Sequence, residues 1–247
     1  IYTYNRPENA SHLVLGSMAT SIYYYDFESK LTKNCFTLQG WNFIGWRDSY
    51  GNNYADQATV KTPTLNDNNE LMLVAKWQPY NYSVKYYANP PADADIISGS
   101  MSDSYFKYDN SATLSASGYS VTGWRFTGWN TASNGSGTNF NVGQSYTNIK
   151  TDITDNEVVP LYAQWEKQLY TITLDKNGGS GGTSSIQLFY KGALPSITAP
   201  TKTGYSFNGY YATVNGNSVL YNDRNMNKMI TEWRDLQVTK LTARWNV

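Results

Sequence analysis

The chain has 247 residues, with 19 Lys and Arg against 19 Asp and Glu, and only 15% of it is charged, well below the roughly 25% of an average globular protein. Without a net positive field it cannot neutralise phosphates, which excludes nucleic acid as a partner. A single cysteine, Cys35, and a single histidine, His12, rule out an internal disulfide, a zinc-finger pattern and a multi-histidine metal site. Aromatic residues reach 15%, including 22 tyrosines. That is too apolar for disorder, and with abundant glycine it leans towards β-structure. No stretch approaches the roughly 18 apolar residues of a membrane span, so the chain is expected not to be membrane-embedded. Ile1 begins without a signal-peptide pattern or an initiator Met, so the sequence reads as part of a longer, multidomain or processed chain.

Taken in order, the elements repeat. A tyrosine-rich strand, "IYTY" at 1–4, is followed by "GSM" at 16–18, "GWNFIGW" at 40–46 and "LVAKW" at 73–77. The series returns as "YSVKYY" at 82–87, "GSM" at 99–101, "GWRFTGW" at 123–129 and "LYAQW" at 161–165. It returns again as "YTITL" at 170–174, "GYSFNGY" at 204–210 and "LTARW" at 241–245. Gly40 and Gly123 are 83 residues apart, Gly123 and Gly204 81. Three anchors in one order, three times, divide the chain into repeats 1–79, 80–168 and 169–247. At about 80 residues each repeat can just build its own core, and the period is longer than the roughly 20–50 residues of solenoids. The short joins "WQPYNYS" and "WEKQLYT" predict a row of beads with limited bending.

Within a repeat, Tyr170, Ile172 and Leu174 alternate with Thr171, Thr173 and Asp175, the period of a half-buried strand. In "GWRFTGW", Trp124 and Phe126 face one way and Arg125 and Thr127 the other, and Gly128 allows a bend before Trp129. The closing segments alternate again and read as last strands. Between them, Met226, Met229, Ile230 and Trp233 fall at 0, 3, 4 and 7, which predicts a short helix in the third repeat. "ADQATVK" and "GQSYTNIKTDI" predict weaker helical turns in the other two. The expected class is thus mainly β with short helices, α+β.

"FKYDNSATL", "GWRFTGWNTASNGSGTNFNVGQS" and "LYAQW" in the second repeat closely resemble the Listeria–Bacteroides repeat, also known as the internalin B-repeat, of bacterial cell-surface proteins. "DKNGG", "TKTGYSFNGYY" and "LTARW" place the third repeat beside it. The first departs most, lacking the Asn-Gly-Gly turn. The resemblance implies three tandem small β-grasp-like domains in an elongated row. It implies a stalk or spacer of a secreted or wall-anchored adhesin, extracellular and at the cell surface or cell wall, with no catalytic residues and no cofactor. It also implies contact of some members with host or cell-surface glycan or protein.

Sharper readings compete with structural ones. The heptapeptide rings could stack on sugars, but recurrence in every repeat is what a core signature requires. "NDNNE" at 66–70, "TDITDNE" at 151–157 and "YDN" at 108–110 could supply calcium oxygens, yet none has the spaced calcium-loop pattern, and Asp and Asn favour turns. His12 and Cys35 could pair as base and nucleophile, but nothing orients them and neither recurs, so the chain reads as no enzyme and Cys35 as a small core filler. "NGGSGG" at 177–182 lacks the lysine of a phosphate loop and reads as a hairpin turn. A Lys–Asn crosslink would need a lysine, an asparagine and a buried acid in contact. Tyr23, Tyr24 and Tyr25 are candidate ligand contacts, with Tyr24 expected on the face opposite the other two.

Overall fold

The structure, a computed structural model, describes residues 1–247 and consists of strands, turns and loops with no helix. No helix is therefore long and apolar enough to cross a membrane. By packing, the chain divides into two compact units: residues 1–87, 101–116 and 129–162, and residues 88–100, 117–128 and 163–247.

Residues of the first repeat, all in the first unit, form β1 (Tyr2–Thr3), β2 (Ser29–Lys30), β3 (Trp41–Asp48), β4 (Asn53–Tyr54), β5 (Thr59–Val60) and β6 (Leu73–Pro79). The sheet order is β1-β6-β3-β4, with β2 and β5 in a separate ladder. β1 runs parallel to β6, with Tyr2 opposite Leu73, and β3 runs antiparallel to it. A parallel pair cannot be closed by a hairpin, so the rest of the repeat is the crossover between its first and last strands. Tyr2, Leu31, Phe36, Trp46, Val60, Leu73 and Ala75 form the core.

The second repeat forms β7 (Asn81–Tyr87), β8 (Ile97–Gly99), β9 (Ser104–Lys107), β10 (Ala112–Thr113), β11 (Tyr119–Val121), β12 (Trp124–Asn130), β13 (Asn139–Phe140), β14 (Ser145–Tyr146) and β15 (Glu157–Lys167). Its sheet order is β13-β12-β15-β7-β9, with β7 parallel to β15. The β10–β14 ladder belongs to the first unit and the β8–β11 ladder to the second.

The third repeat, in the second unit, forms β16 (Leu169–Asp175), β17 (Ser185–Phe189), β18 (Ser206–Val214), β19 (Asn217–Asp223) and β20 (Lys240–Asn246), ordered β17-β16-β20-β18-β19. β16 is parallel to β20. Ile172, Leu174, Leu188, Tyr210, Tyr221, Trp233 and Leu241 are among its core residues.

The heptapeptide is a building block. Its last ring, Trp46, Trp129 or Tyr210, is 0% exposed in every repeat. Its middle ring packs edge-on against the closing tryptophan each time: Phe43 on Trp77 at 5.8 Å, Phe126 on Trp165 at 5.7 Å and Phe207 on Trp245 at 5.6 Å. A β-bulge shifts the register between Phe43 and Gly45 and between Phe207 and Gly209. Gly45 and Gly209 sit at φ 120° and 133°, and a Cβ there would stand 2.5 Å from the carbonyl oxygen of Tyr54 or Asn222. Only glycine fits this bulge without strain.

The expected helices do not form, which corrects the α+β assignment to all-β while its β-rich character stands. The third-repeat stripe is broken at Met226, which has φ 66°. Asp223 draws the chain into a turn instead, its carboxylate accepting from the backbone N–H of Asn225 and Asn227 at 2.8 Å each. Asp and Asn offer the backbone these local partners in place of a helical ladder. Trp233 is still buried, but it is held by backbone bonds with Lys191 and Gly192 of a neighbouring loop.

Candidate functional site

The most elaborated polar geometry lies at the joins between repeats. Each repeat carries a tyrosine turn: Phe27 N donates to Tyr24 O, Asn110 N to Lys107 O and Gly192 N to Phe189 O. The second residue is Tyr25, Tyr108 or Tyr190, and the third, Asp26, Asp109 or Lys191, has φ 65°, 57° and 59°. Positive φ at the third position is the type II pattern. It makes the tyrosine and its successor a corner that projects from the repeat.

At the first join, inside the first unit, the corner of the second repeat meets the heptapeptide edge of the first. A Cβ at Gly40 would overlap the Tyr108 ring, so glycine is required for the ring to lie there. Tyr108 donates its hydroxyl to Thr151 O at 2.9 Å. Asp109 Oδ2 accepts from Trp41 Nε1 and from Ser11 N, both at 2.9 Å, and Oδ1 accepts from Asn148 Nδ2 at 3.0 Å. Burial opposes ionisation of this carboxyl, but the donors from Ser11, Trp41 and Asn148 outweigh it and hold Asp109 below the ordinary aspartate range. Alongside, Asp155 accepts from Asn81 N and Asn42 Nδ2 at 2.8 Å each, and Tyr80 N donates to Gly40 O at 2.8 Å.

The second join, inside the second unit, repeats the backbone frame with different charges. A Cβ at Gly123 would overlap Tyr190, and Gln168 N donates to Gly123 O at 2.9 Å. The corner residue is now a cation. Lys191 pairs with Asp95 and donates to Asp93 O at 2.9 Å. Tyr190 OH and Arg234 Nη1 also reach Asp95, at 3.0 and 2.7 Å, and Lys167 pairs with Asp93 at 2.9 Å. The Lys191 pair holds Asp95 below its ordinary range. Chemically, both arrangements fix one repeat on the next, with a buried carboxylate in one and an exposed ion network in the other.

The tyrosine triplet of the first repeat lines a cavity of about 260 Å³ with Phe27, Lys61 and Leu65. That is below the roughly 300 Å³ at which small-molecule sites begin. Residues 23–25 are not a strand, so the expected alternation does not hold. Tyr23 is half-buried, its hydroxyl 3.0 Å from that of Tyr2, whereas Tyr24 and Tyr25 are both exposed.

The remaining predicted residues engage other partners. His12 Nδ1 bonds Ser11 Oγ at 2.8 Å, and the Cys35 thiol reaches Lys33 O at 3.6 Å. Cys35 is exposed, not the expected core filler, because Phe36 and Leu38 take the inward positions of that segment. The acidic loops engage protein donors: Asn66 Oδ1 accepts from Asn68 N and Glu70 N, and Glu157 accepts from Lys150 and Thr154. Lys76 Nζ meets Asn53 Oδ1 at 2.8 Å, but this pair is exposed, not in the buried setting a crosslink needs. In "NGGSGG", the backbone N–H of Asn177 donates to Asp175 Oδ1 at 2.9 Å in a local turn.

One recurrent device escaped the sequence reading. Asn5, Asn89 and Asn177, at φ 40°, 41° and 50°, each donate Nδ2 to the carbonyl of the closing-strand alanine: Ala75 at 3.4 Å, Ala163 at 2.9 Å and Ala243 at 3.0 Å. The first repeat therefore keeps the turn asparagine although its glycines are gone. The signal was an asparagine one to three residues after each opening tyrosine run.

The Listeria-Bacteroides repeat domain matches residues 82–164 and again 170–234. A putative Gly-rich membrane protein of Evansella cellulosilytica is 27% identical over 219 residues, 84% of this chain but 22% of the relative. A putative membrane protein of the same organism is 39% identical over 59 residues, 24% of this chain and 8% of the relative. The chain thus spans less than a quarter of the length of either relative. Two successive matches, each spanning one aromatic-glycine heptapeptide and together covering more than half of the chain, establish that the chain belongs to the Listeria–Bacteroides repeat domain family.

Proposed function

We propose that this chain is a structural segment of a bacterial surface protein, a run of tandem repeats that spaces other parts of a longer, extracellular polypeptide. The observation that carries this reading is the join. Buried Asp109 binds Trp41 and Ser11 of the preceding repeat, and Tyr190 with Lys191 meets the preceding repeat by the same backbone frame. Such contacts serve to set one repeat firmly on the next. The greater length of the relatives and their names as membrane proteins support a surface setting. Catalytic and cofactor roles have no place in this reading, and the low charge suits a surface exposed to varying salt. The test is denaturant unfolding followed by tryptophan fluorescence. Asp109→Ala should destabilise the first and second repeats together, whereas loss confined to the second repeat would reject the spacer joint.

A second reading, an adhesive contact with glycan or host protein, is favoured by one observation. Tyr24, Tyr25 and Phe27 are 77%, 60% and 70% exposed around one cavity, and exposed rings in a cluster suit partner contact. Saturable binding on a glycan and mucin array, lost in Tyr24→Ser with the fold intact, would establish it. A folded chain that binds nothing there would remove it.

A further inference from the structure

Both halves of a third joint are present and open. At the joints described above, Gly40 and Gly123 are buried, and a Cβ on either would strike the tyrosine of the following repeat. Gly204 has the same backbone, φ 79° against 79° and 80°, yet it is exposed and nothing lies within 4 Å of its Cβ position. The ring beside it follows suit: Trp41 is 6% exposed and Tyr205 46%. The corner shows the converse. Tyr108 is 0% exposed, but its counterpart Tyr25 is 60% exposed. Their equivalence rests on the ladders, Ser29 opposite Val60 and Ala112 opposite Tyr146, and on the shared turn with positive φ.

We propose, building on the structural reading above, that the Gly204–Tyr205 edge is a socket for the tyrosine corner of a further repeat of this family, joined in tandem. Backbone register supports the occupant. Trp41 stands opposite Pro79, and the next residue, Tyr80, donates to Gly40 O. In the third repeat Ser206 stands opposite Asn246, so a residue joined after Val247 comes opposite Gly204. Charge narrows the choice. Lys202 lies over the Tyr205 ring, 4.6 Å from its centroid, where the corresponding residues of the other repeats are apolar, Leu38 and Val121. A cation at the rim of the socket matches an acidic corner, Tyr-Asp as in Tyr108–Asp109, and opposes Tyr-Lys as in Tyr190–Lys191.

The test extends the full chain after Val247 with a copy of residues 80–168 and reads side-chain exposure by hydroxyl-radical footprinting. Tyr205 should lose reactivity several-fold, to the level of Trp41, and Tyr108→Ala in the appended copy should restore it. Asp109→Lys in the appended copy should restore it in part. Unchanged Tyr205 reactivity, with Trp41 and the internal Tyr108 still protected, overturns the socket while leaving the internal joints standing. Full reactivity of Trp41 in the unextended chain overturns the joint reading and the socket with it.

Discussion

Trp41 donates its indole N–H to Asp109 Oδ2 at 2.9 Å, across 68 residues of sequence and from one repeat to the next. The same carboxylate takes the backbone N–H of Ser11 and the side-chain amide of Asn148. A buried charge with donors on several sides is stable only while all of them remain in place. The joint is therefore a specific lock between two repeats.

Acid should open this lock. Asp109 and Asp48 are both held below the ordinary aspartate range, in each case because hydrogen bonds outweigh burial: Ser11, Trp41 and Asn148 for Asp109, and Asn52, Tyr54 and Tyr50 for Asp48. A depressed folded-state value gives stability that is fully present above the unfolded value of about 4 and is lost as pH falls through the folded value. Urea midpoints should thus hold above pH 5 or so and decline below about 4. In Asp109→Asn the acid decline should be shallower than in the wild type, and an identical slope would contradict the assignment.

Alkali acts through Tyr54. Burial and the neighbouring Asp48, to which it donates at 2.9 Å, push its hydroxyl up to about 12. The raised value means that its contribution is complete below about 10 and is lost between there and the folded value. Difference absorbance at alkaline pH should show a late tyrosine component shared with other buried tyrosines such as Tyr221, which burial and Asp235 also push up. Tyr54→Phe should reduce that component by one tyrosine, and an unchanged late amplitude would contradict the assignment.

The bulge glycines should be intolerant. Gly45→Ala or Gly209→Ala places a methyl against the carbonyl of Tyr54 or Asn222 at a backbone angle that alanine disfavours. A loss of about 2 kcal/mol or more is expected from chemical denaturation. A change below about 0.5 kcal/mol would show that the strand can relax around the methyl.

Tyr210→Phe should go the other way. The Tyr210 hydroxyl is buried with no hydrogen-bond partner, so it bears desolvation without return. Removing it should leave the third repeat as stable or raise stability by about 1 kcal/mol. Destabilisation would imply a partner for the hydroxyl.

The repeat order was legible in the sequence because glycine and tryptophan occupy positions that little else can fill. Gly45 and Gly209 need their bulge conformation, and Trp77, Trp165 and Trp245 each close the sheet over a phenylalanine. The joints were not legible, since their side chains change from Asp109 to Lys191 while the backbone frame persists. What recurs there is a positive-φ corner, which two unlike residues adopt. The helix expected at 226–233 failed because the apolar stripe was counted without the competing turn chemistry of Asp223 and its neighbouring asparagines. Cys35 was misplaced for a simpler reason: it alternates with Phe36, and only one of two successive side chains can face the core.

The most direct test of the joint is a double-mutant cycle of Trp41→Phe and Asp109→Asn, read by urea unfolding of the full chain. Trp41→Phe removes the indole donor, and Asp109→Asn removes the charge that receives it. The account predicts a coupling energy of about 1–3 kcal/mol between the two sites. Strict additivity, with each single variant still folded, would mean that the repeats do not communicate through this contact, and the structural reading of the joint would fall.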